Sequence, residues 1–245
     1  MIDIKDLSVK VESTAILKGI NLNIGPGEVH VVMGRNGSGK TTLAHTILGN
    51  PNYQITAGSI NFEGKDISNL KTHERAKLGI FLGFQNPVAI PGVPVGNFLR
   101  TAMRNIYGDK YSAKELRAQI KDEAKKLNID DNTLRRYLND GFSGGEKKRL
   151  ETLQLRLLKP KLSILDETDS GLDVDALKRV ADSINELRNS SRSFLIITHY
   201  RKMLDLIKPD KVHVLIDGKI IKVGNLSLAD LVEKEGYDSL IVDSV

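Results

Sequence analysis

The segment Gly34-Arg35-Asn36-Gly37-Ser38-Gly39-Lys40-Thr41 constrains this chain of 245 residues more than any other. It follows the apolar run Val29-His30-Val31-Val32-Met33 and precedes Thr42-Leu43-Ala44-His45-Thr46-Ile47-Leu48, a segment able to open a helix. Strand, glycine-rich turn and helix in that order point successive backbone N–H groups at a phosphate chain, with the positive end of the helix dipole behind them. The G-x-x-x-x-G-K-[ST] spacing brings Lys40 to the β- and γ-phosphates and the Thr41 hydroxyl to Mg²⁺. Gly34 through Thr41, together with Thr42, are therefore the expected contacts to a nucleoside triphosphate, ATP with its Mg²⁺.

Composition narrows the remaining classes. Lys and Arg number 36 against 31 Asp and Glu, a formal charge of +5. These charges are dispersed, the densest cluster being Lys147-Lys148-Arg149, and aromatics are only 5% of residues, so no base-stacking platform is visible. A solvated mixed-charge surface with no direct nucleic-acid contact is the reading. Cysteine is absent, which excludes a disulfide, a thiolate nucleophile or a cysteine-ligated zinc or iron–sulfur site on this chain. Met1-Ile2-Asp3-Ile4-Lys5-Asp6 lacks a signal-peptide layout, and no apolar run approaches the ~18 residues of a membrane span. A soluble cytoplasmic protein without direct membrane contact is expected.

Apolar periodicity organises the chain as α/β. Ile2, Ile4, Leu7, Val9 and Val11, then Ile16 to Ile24, alternate as antiparallel strands do, and Gly25-Pro26-Gly27-Glu28 turns into the strand before the phosphate loop. Ser59 to Asp66 reads as a hairpin, Leu70 to Leu78 as a short helix, and Ile80 to Phe84 as an apolar run ending at Gln85. Asn86 to Pro94 holds three prolines and is expected to be a non-helical loop. From there to about residue 158 the pattern is helical, with Leu116, Ile120, Ala124 and Leu127 on one face of Ala113 to Leu127. Leu162 to Leu165, a helix from Val174 to Arg188, Phe194 to Thr198, and the pair of strands around Asp217-Gly218 restore the β/α alternation. The expected layout is one catalytic unit over 1-245. A core with its β subdomain occupies about 1-85 and 159-245, and a helical subdomain about 86-158 is inserted in it.

Four apolar runs end in polar groups: the phosphate loop, Gln85, Asp166-Glu167 and His199. Parallel neighbours would bring all four to one sheet edge, where open α/β sheets bind ligands. Asp166 supplies a hard oxygen for Mg²⁺ opposite Thr41, and Glu167 can act as general base on the attacking water. Gln85 can hold the Mg²⁺ or that water through its amide oxygen, and His199 can hydrogen-bond the γ-phosphate. His30, His45, His73 and His213 read as packed or surface residues. Ser143 suits an N-cap, and a helix opening Ser143-Gly144-Gly145 presents N–H groups to a second anion. Two phosphate-binding helix starts in one chain are reconciled by a head-to-tail homodimer in which Ser143-Gly144-Gly145 closes over the partner's nucleotide.

This ordered set, with Ser170-Gly171-Leu172-Asp173 after the acidic pair, resembles the ATPase subunits of the ATP-binding cassette (ABC) family over essentially the full chain. The resemblance implies a RecA-like P-loop core, an N-terminal antiparallel β subdomain and an inserted α-helical subdomain. It also implies two subunits sandwiching two MgATP, with Ser170 to Asp173 contacting the other subunit, and hydrolysis driving a partner. Departures are Phe142 and Glu146 flanking Ser143-Gly144-Gly145 where transporter cassettes have Leu and Gln, Thr168 where they have proline, and Val11 where they have an adenine-stacking ring. The last implies weak adenine binding by an isolated monomer.

Those departures, with Asn86 to Val93, Glu146-Lys147-Lys148-Arg149, Asp166 to Asp173, Thr198-His199-Tyr200 and Ile207-Lys208-Pro209-Asp210, are similar to the soluble cassette ATPases of Suf iron–sulfur cluster assembly. That implies scaffold partners of the SufB and SufD type, which would carry the thiolates absent here. The rival reading is the ATPase subunit of a membrane transporter, and a third is a nucleotide-gated binding module with little hydrolysis, against which Glu167 argues. Lys147 or Lys148 pairing with Glu167 is a conceivable brake in the resting monomer.

Overall fold

The computed structural model describes residues 1–242. The chain opens with β1 (Ile2–Val11), β2 (Thr14–Ile24), β3 (Val29–Met33), α1 (Lys40–Leu48), β4 (Tyr53–Phe62), β5 (Lys65–Asp66), α2 (Thr72–Leu78) and β6 (Ile80–Gly83). There follow β7 (Ile90–Pro94), α3 (Val95–Tyr107), α4 (Ala113–Lys126), β8 (Tyr137–Leu138) and α5 (Gly144–Leu158). It continues through β9 (Leu162–Asp166), α6 (Val174–Leu187), β10 (Ser193–Ile197), α7 (Arg201–Ile207), β11 (Lys211–Ile216), β12 (Lys219–Gly224), α8 (Leu226–Glu235) and α9 (Ser239–Val242).

The central sheet has the order β12-β11-β3-β10-β9-β6, parallel except for β12. Its inner strands are buried on both faces, which is why they read as unbroken apolar runs rather than as an alternation. The N-terminal strands form a separate antiparallel sheet, β2-β1-β4-β5, whose alternation places Ile2, Ile4, Leu7 and Val9 inward against α1 and the central sheet. A second apolar cluster joins the other face of the central sheet to α6, α7 and α8. A third, built on Val95, Leu99, Met103, Leu116, Ile120, Leu150 and Leu153, holds α3, α4 and α5 together.

The hairpin between β11 and β12 turns on Asp217 at φ 47° and Gly218 at φ 80°, two successive positive values that a tight two-residue hairpin demands. Its tip touches the phosphate loop, Gly218 N–H donating to Ser38 O at 3.0 Å, and β2, Lys18 N–H donating to Gly218 O at 2.9 Å. A long loop is thereby pinned by a distant turn.

Two details differ from the sequence expectation. The proline-rich segment is not wholly loop: Ile90–Pro94 is extended and pairs antiparallel with Tyr137–Leu138 inside the otherwise helical block. A two-stranded ribbon has free edges, so prolines without an N–H are tolerated there. Strand β4 also begins at Tyr53, upstream of the expected Ser59, because its outward residues are polar and mask the period.

Arg75 is fully buried and donates to four carbonyls: Thr46 O at 2.8 Å, Ile47 O at 2.9 Å, Leu70 O at 2.9 Å and Ser68 O at 2.8 Å. Two of these lie in the last turn of α1, whose carbonyls the helix itself cannot all satisfy. Burial pulls the guanidinium down to about 10, so it remains charged at neutral pH and anchors the far end of the helix that starts at Lys40.

His30 and His213, on the paired strands β3 and β11, are buried and in contact, His213 Nε2 lying 3.0 Å from His30 Nδ1 and His30 Nε2 2.9 Å from Glu28. Burial, with His30 and Lys211 nearby, lowers His213 to about 4. The unfolded chain takes up its proton first, so this stabilisation is complete above the ordinary histidine pKa and is lost as pH falls from about 6.5 towards 4. Between pH 8 and pH 5 the parent should lose about 2 kcal/mol more unfolding free energy than His213→Gln, measured by urea denaturation.

Candidate active site

The parallel strands β3, β10, β9 and β6 carry their polar termini to one edge of the sheet. In register, Ile197 lies opposite both Asp166 and Val32, and Gly83 opposite Leu165, so Met33, Gln85, Asp166 and His199 all follow the same level of the sheet. Gly39 closes the phosphate loop at φ 108°, and a Cβ there would meet Leu17 Cδ2 at 2.8 Å, which restricts the position to glycine. Lys40 is buried, and its ammonium donates to Gly34 O at 2.8 Å and Arg35 O at 3.0 Å. Desolvation lowers its pKa, opposed by Glu167 and Asp166.

Asp166 is 1% exposed. Burial raises its pKa, while the Thr41 hydroxyl, Lys40 and Lys148 favour its charged form against the repulsion of Glu167. The Thr41 hydroxyl is close by, yet among the described residues neither carboxylate oxygen receives a well-formed hydrogen bond, and Ser38 Oγ is likewise unpartnered. A desolvated carboxylate with two orphaned oxygens beside a threonine hydroxyl is what a hard cation with oxygen ligands requires, so the residues fit Mg²⁺.

Glu167 adopts φ 47°, a left-handed conformation that costs a non-glycine residue free energy and places the side chain off the strand's line. Its N–H donates to Ile197 O at 2.9 Å, which fixes that turn. Gln85 Nε2 donates to Glu167 Oε2 at 2.5 Å, and His199 Nδ1 lies 3.9 Å from Glu167 Oε1. Sequence-distant Gln85, Glu167 and His199 are thus assembled in one group. The lysine brake is not what the structure shows: Lys148 donates to Phe84 O at 2.9 Å and Gln85 O at 3.1 Å, and the partner of Glu167 is the Gln85 amide.

Ser143 caps α5, its Oγ accepting from Glu146 N–H at 3.3 Å while Glu146 accepts from Ser143 N–H at 2.8 Å, and Arg136 pairs with Glu146 at 2.8 Å. Among the described residues no hydrogen bond or ion pair joins Ser143, Gly144 or Gly145 to the phosphate loop. Asp173 caps α6, accepting from Ala176 N–H at 2.7 Å.

Several site contacts escaped sequence reasoning because they join distant segments. Arg35 pairs with Asp238 at 2.5 Å, so the C-terminal segment leans on the phosphate loop. The buried Asp169 carboxylate accepts from the Thr198 hydroxyl, which itself accepts from Tyr200 N–H at 2.9 Å. This ties the segment after Glu167 to the one carrying His199. Only the polar residues at the strand ends hinted at it.

A parallel sheet with this loop and these carboxylates defines a P-loop nucleoside triphosphatase core. The chain matches the family described as ABC transporter over residues 17–170 and belongs to it, as an ABC-type ATPase. Among curated proteins it is 48% identical to the probable ATP-dependent transporter SufC of Escherichia coli, covering 97% of each chain. It is 50% identical to the probable ATP-dependent transporter ycf16 of Pyropia yezoensis over 97% of this chain and 96% of that one. It is 48% identical to vegetative protein 296 of Bacillus subtilis over 96% and 91%. Among solved structures, the ATP-binding subunit of an ABC transporter shares the fold at TM-score 0.81 and 23% identity, over 99% of this chain and 98% of that one. A dimeric ATP-binding cassette bound to ADP and Pi does so at TM-score 0.80 and 21% identity, over 92% and 99%. Among the described residues no helix is long and apolar enough to cross a membrane.

Thr198→Val removes the hydroxyl that donates to the buried Asp169 side chain, whose pKa burial raises and that hydrogen bond lowers. Unfolding free energy should fall by about 2 to 3 kcal/mol in urea denaturation, and Thr198→Ser should restore most of it.

Proposed function

We propose that this chain is the ATP-binding and ATP-hydrolysing subunit of an iron–sulfur cluster assembly complex, whose ATP-driven dimerisation remodels a SufB/SufD-type scaffold. The observation that carries the ATPase part is the buried, unsatisfied Asp166 carboxylate facing Thr41, one residue from a Glu167 held by Gln85. The full-length similarity to a protein named SufC supports the assembly part, and the absence of cysteine accords with cluster thiolates on a partner.

The residues take these roles. Gly34 to Thr42 cradle the triphosphate, and Lys40 exchanges the Gly34 and Arg35 carbonyls for phosphate oxygens. Thr41, Asp166 and the Gln85 amide oxygen hold Mg²⁺, which when bound neutralises phosphate charge. Glu167, released by Gln85, accepts the proton of the attacking water, and His199 donates to the γ-phosphate. Without an aromatic ring at Val11, the lone chain holds adenine weakly.

Gly144 and Gly145 support a second phosphate site completed by another copy. Neither has a positive φ, and a Cβ on either would meet nothing within 4 Å, so the fold of this chain does not require them to be glycine. Their bareness suits close approach of an outside group, here the nucleotide on the partner's phosphate loop, with Ser170 to Asp173 alongside. The lobe of about 86-158 has its own apolar cluster and would move against the core of about 1-85 and 159-245. Phe84, Val88 and Ile90, within five residues of Gln85, and Tyr137, on the strand paired with Ile90–Pro94, are exposed, Val88 at 74%, and form the scaffold-docking surface in this reading.

A transporter role is the second reading, favoured by the family description and by relatives 46% identical called probable ABC transporter ATP-binding proteins in Streptococcus pyogenes. Anaerobic affinity purification separates the two. Soluble partners carrying iron and acid-labile sulfide are the expected result, and integral membrane partners without iron would reassign the protein. Glu167→Gln should bind MgATP but hydrolyse it at least ~100-fold more slowly and accumulate as an ATP-bound dimer on gel filtration. Turnover at the parent rate would sink the assignment of Glu167.

A further inference from the structure

The Lys148 and Glu151 side chains, one turn apart on α5, are almost wholly buried. They do not bond each other closely, Nζ and Oε2 standing 3.7 Å apart. Instead each grips the backbone at the root of Gln85. Glu151 Oε1 accepts from Phe84 N–H at 2.6 Å, and Lys148 Nζ donates to Phe84 O at 2.9 Å and Gln85 O at 3.1 Å. Glu151 also lies close against the end of β6, where a Cβ added to Gly83 would sit 3.3 Å from its Cδ.

Burying a carboxylate and an ammonium is costly, and apolar residues of similar volume commonly serve stability as well or better. A pair kept buried and turned onto three consecutive peptide units, those joining Gly83, Phe84, Gln85 and Asn86, therefore has a positional role. Lys148 stands about 6 Å along the helix axis from Gly144, at ~1.5 Å per residue, so the clamp and the Ser143-Gly144-Gly145 terminus belong to one rigid segment. Beyond the gripped backbone, the Gln85 side chain ends on Glu167 at 2.5 Å. Helix α5 itself spans two bodies: Leu150, Leu153 and Leu157 belong to the helical-block cluster, and Leu155 to the cluster on the central sheet.

We propose that Glu151, with Lys148, is a positioning residue that locks the Gln85 segment to α5, so that capture of a partner's nucleotide by Ser143-Gly144-Gly145 resets the Gln85–Glu167 contact in the same chain. The inference rests on the roles given above to Gln85 and to the α5 terminus. Its consequence is that hydrolysis at a chain's own site depends on its α5 having engaged the other chain's nucleotide, through a contact that touches neither ATP nor metal.

The test is a double-mutant cycle on the full-length protein, with steady-state MgATP hydrolysis and the melting temperature measured for each variant. Glu151→Ala should lower kcat about tenfold while KM for MgATP stays within about twofold, as expected for a residue that does not contact substrate. In a Gln85→Ala background the same substitution should change kcat less than about twofold, because its effect passes through Gln85. Glu151→Gln, which keeps an acceptor for the Phe84 N–H, should recover most of the lost rate. If alanine leaves a cavity that prevents folding, Glu151→Leu fills the volume and the same cycle is read. Equal losses with and without Gln85, or an unchanged kcat in Glu151→Ala, would overturn the clamp while leaving the ATPase reading intact. A Gln85→Ala protein hydrolysing at the parent rate would overturn the role of Gln85 and the clamp with it.

Discussion

The Asp166 carboxylate is the constraint on which the rest of the structure turns. It is an acidic group at the end of an apolar strand, desolvated on both sides by neighbouring strands, and burial raises its pKa. Lys40, Lys148 and the Thr41 hydroxyl oppose that, and each must be held in place by something else. Lys40 is held by the phosphate-loop carbonyls, Lys148 by the Phe84 and Gln85 carbonyls, and Thr41 by a helix whose far end is capped by buried Arg75. Both Asp166 oxygens are left without a hydrogen-bond partner among the described residues, which suits a hard cation with oxygen ligands.

From that centre the fold extends by a common device, in which a polar side chain from one segment satisfies the backbone of a distant one. Arg75 joins α2 to the end of α1, Glu151 joins α5 to the end of β6, and the Asp217-Gly218 hairpin fastens Ser38. Apolar packing sets the lobes, since three separate clusters account for the two sheets and the helical block. Directional hydrogen bonds between distant segments then bring Gln85, Glu167 and His199 together at the sheet edge that carries the phosphate loop. Buried polar contacts of this kind are high in cost when broken and fix one arrangement among many of equal apolar burial.

Much of this was legible in the sequence. The strands β3, β9, β10 and β11 are short apolar runs closed by turn or polar residues, and buried parallel strands leave just that trace. The phosphate loop, the Ser143 cap and the stripe Leu177, Val180, Ala181, Ile184 and Leu187 were equally plain, because capping and helical burial are local in the chain. The ribbon of Ile90–Pro94 with Tyr137–Leu138 was not, since proline content argues against a strand and the pairing partner lies far along the chain.

By itself, then, the sequence determined the phosphate loop with its flanking strand and helix, and where most of the buried strands and capped helices lie, because these depend on neighbours a few residues apart. It also carried the family, through an ordered set of motifs spread over nearly the full length. Tertiary structure decided which of those groups meet: that Glu167 rests on the Gln85 amide rather than on a lysine, that Lys148 and Glu151 converge on the backbone of Phe84 and Gln85, and that the Thr198 hydroxyl donates to buried Asp169. Side chains of similar reach compete for the same partner, and which competitor wins is set by strand register, backbone angle and burial, none of which is local in sequence.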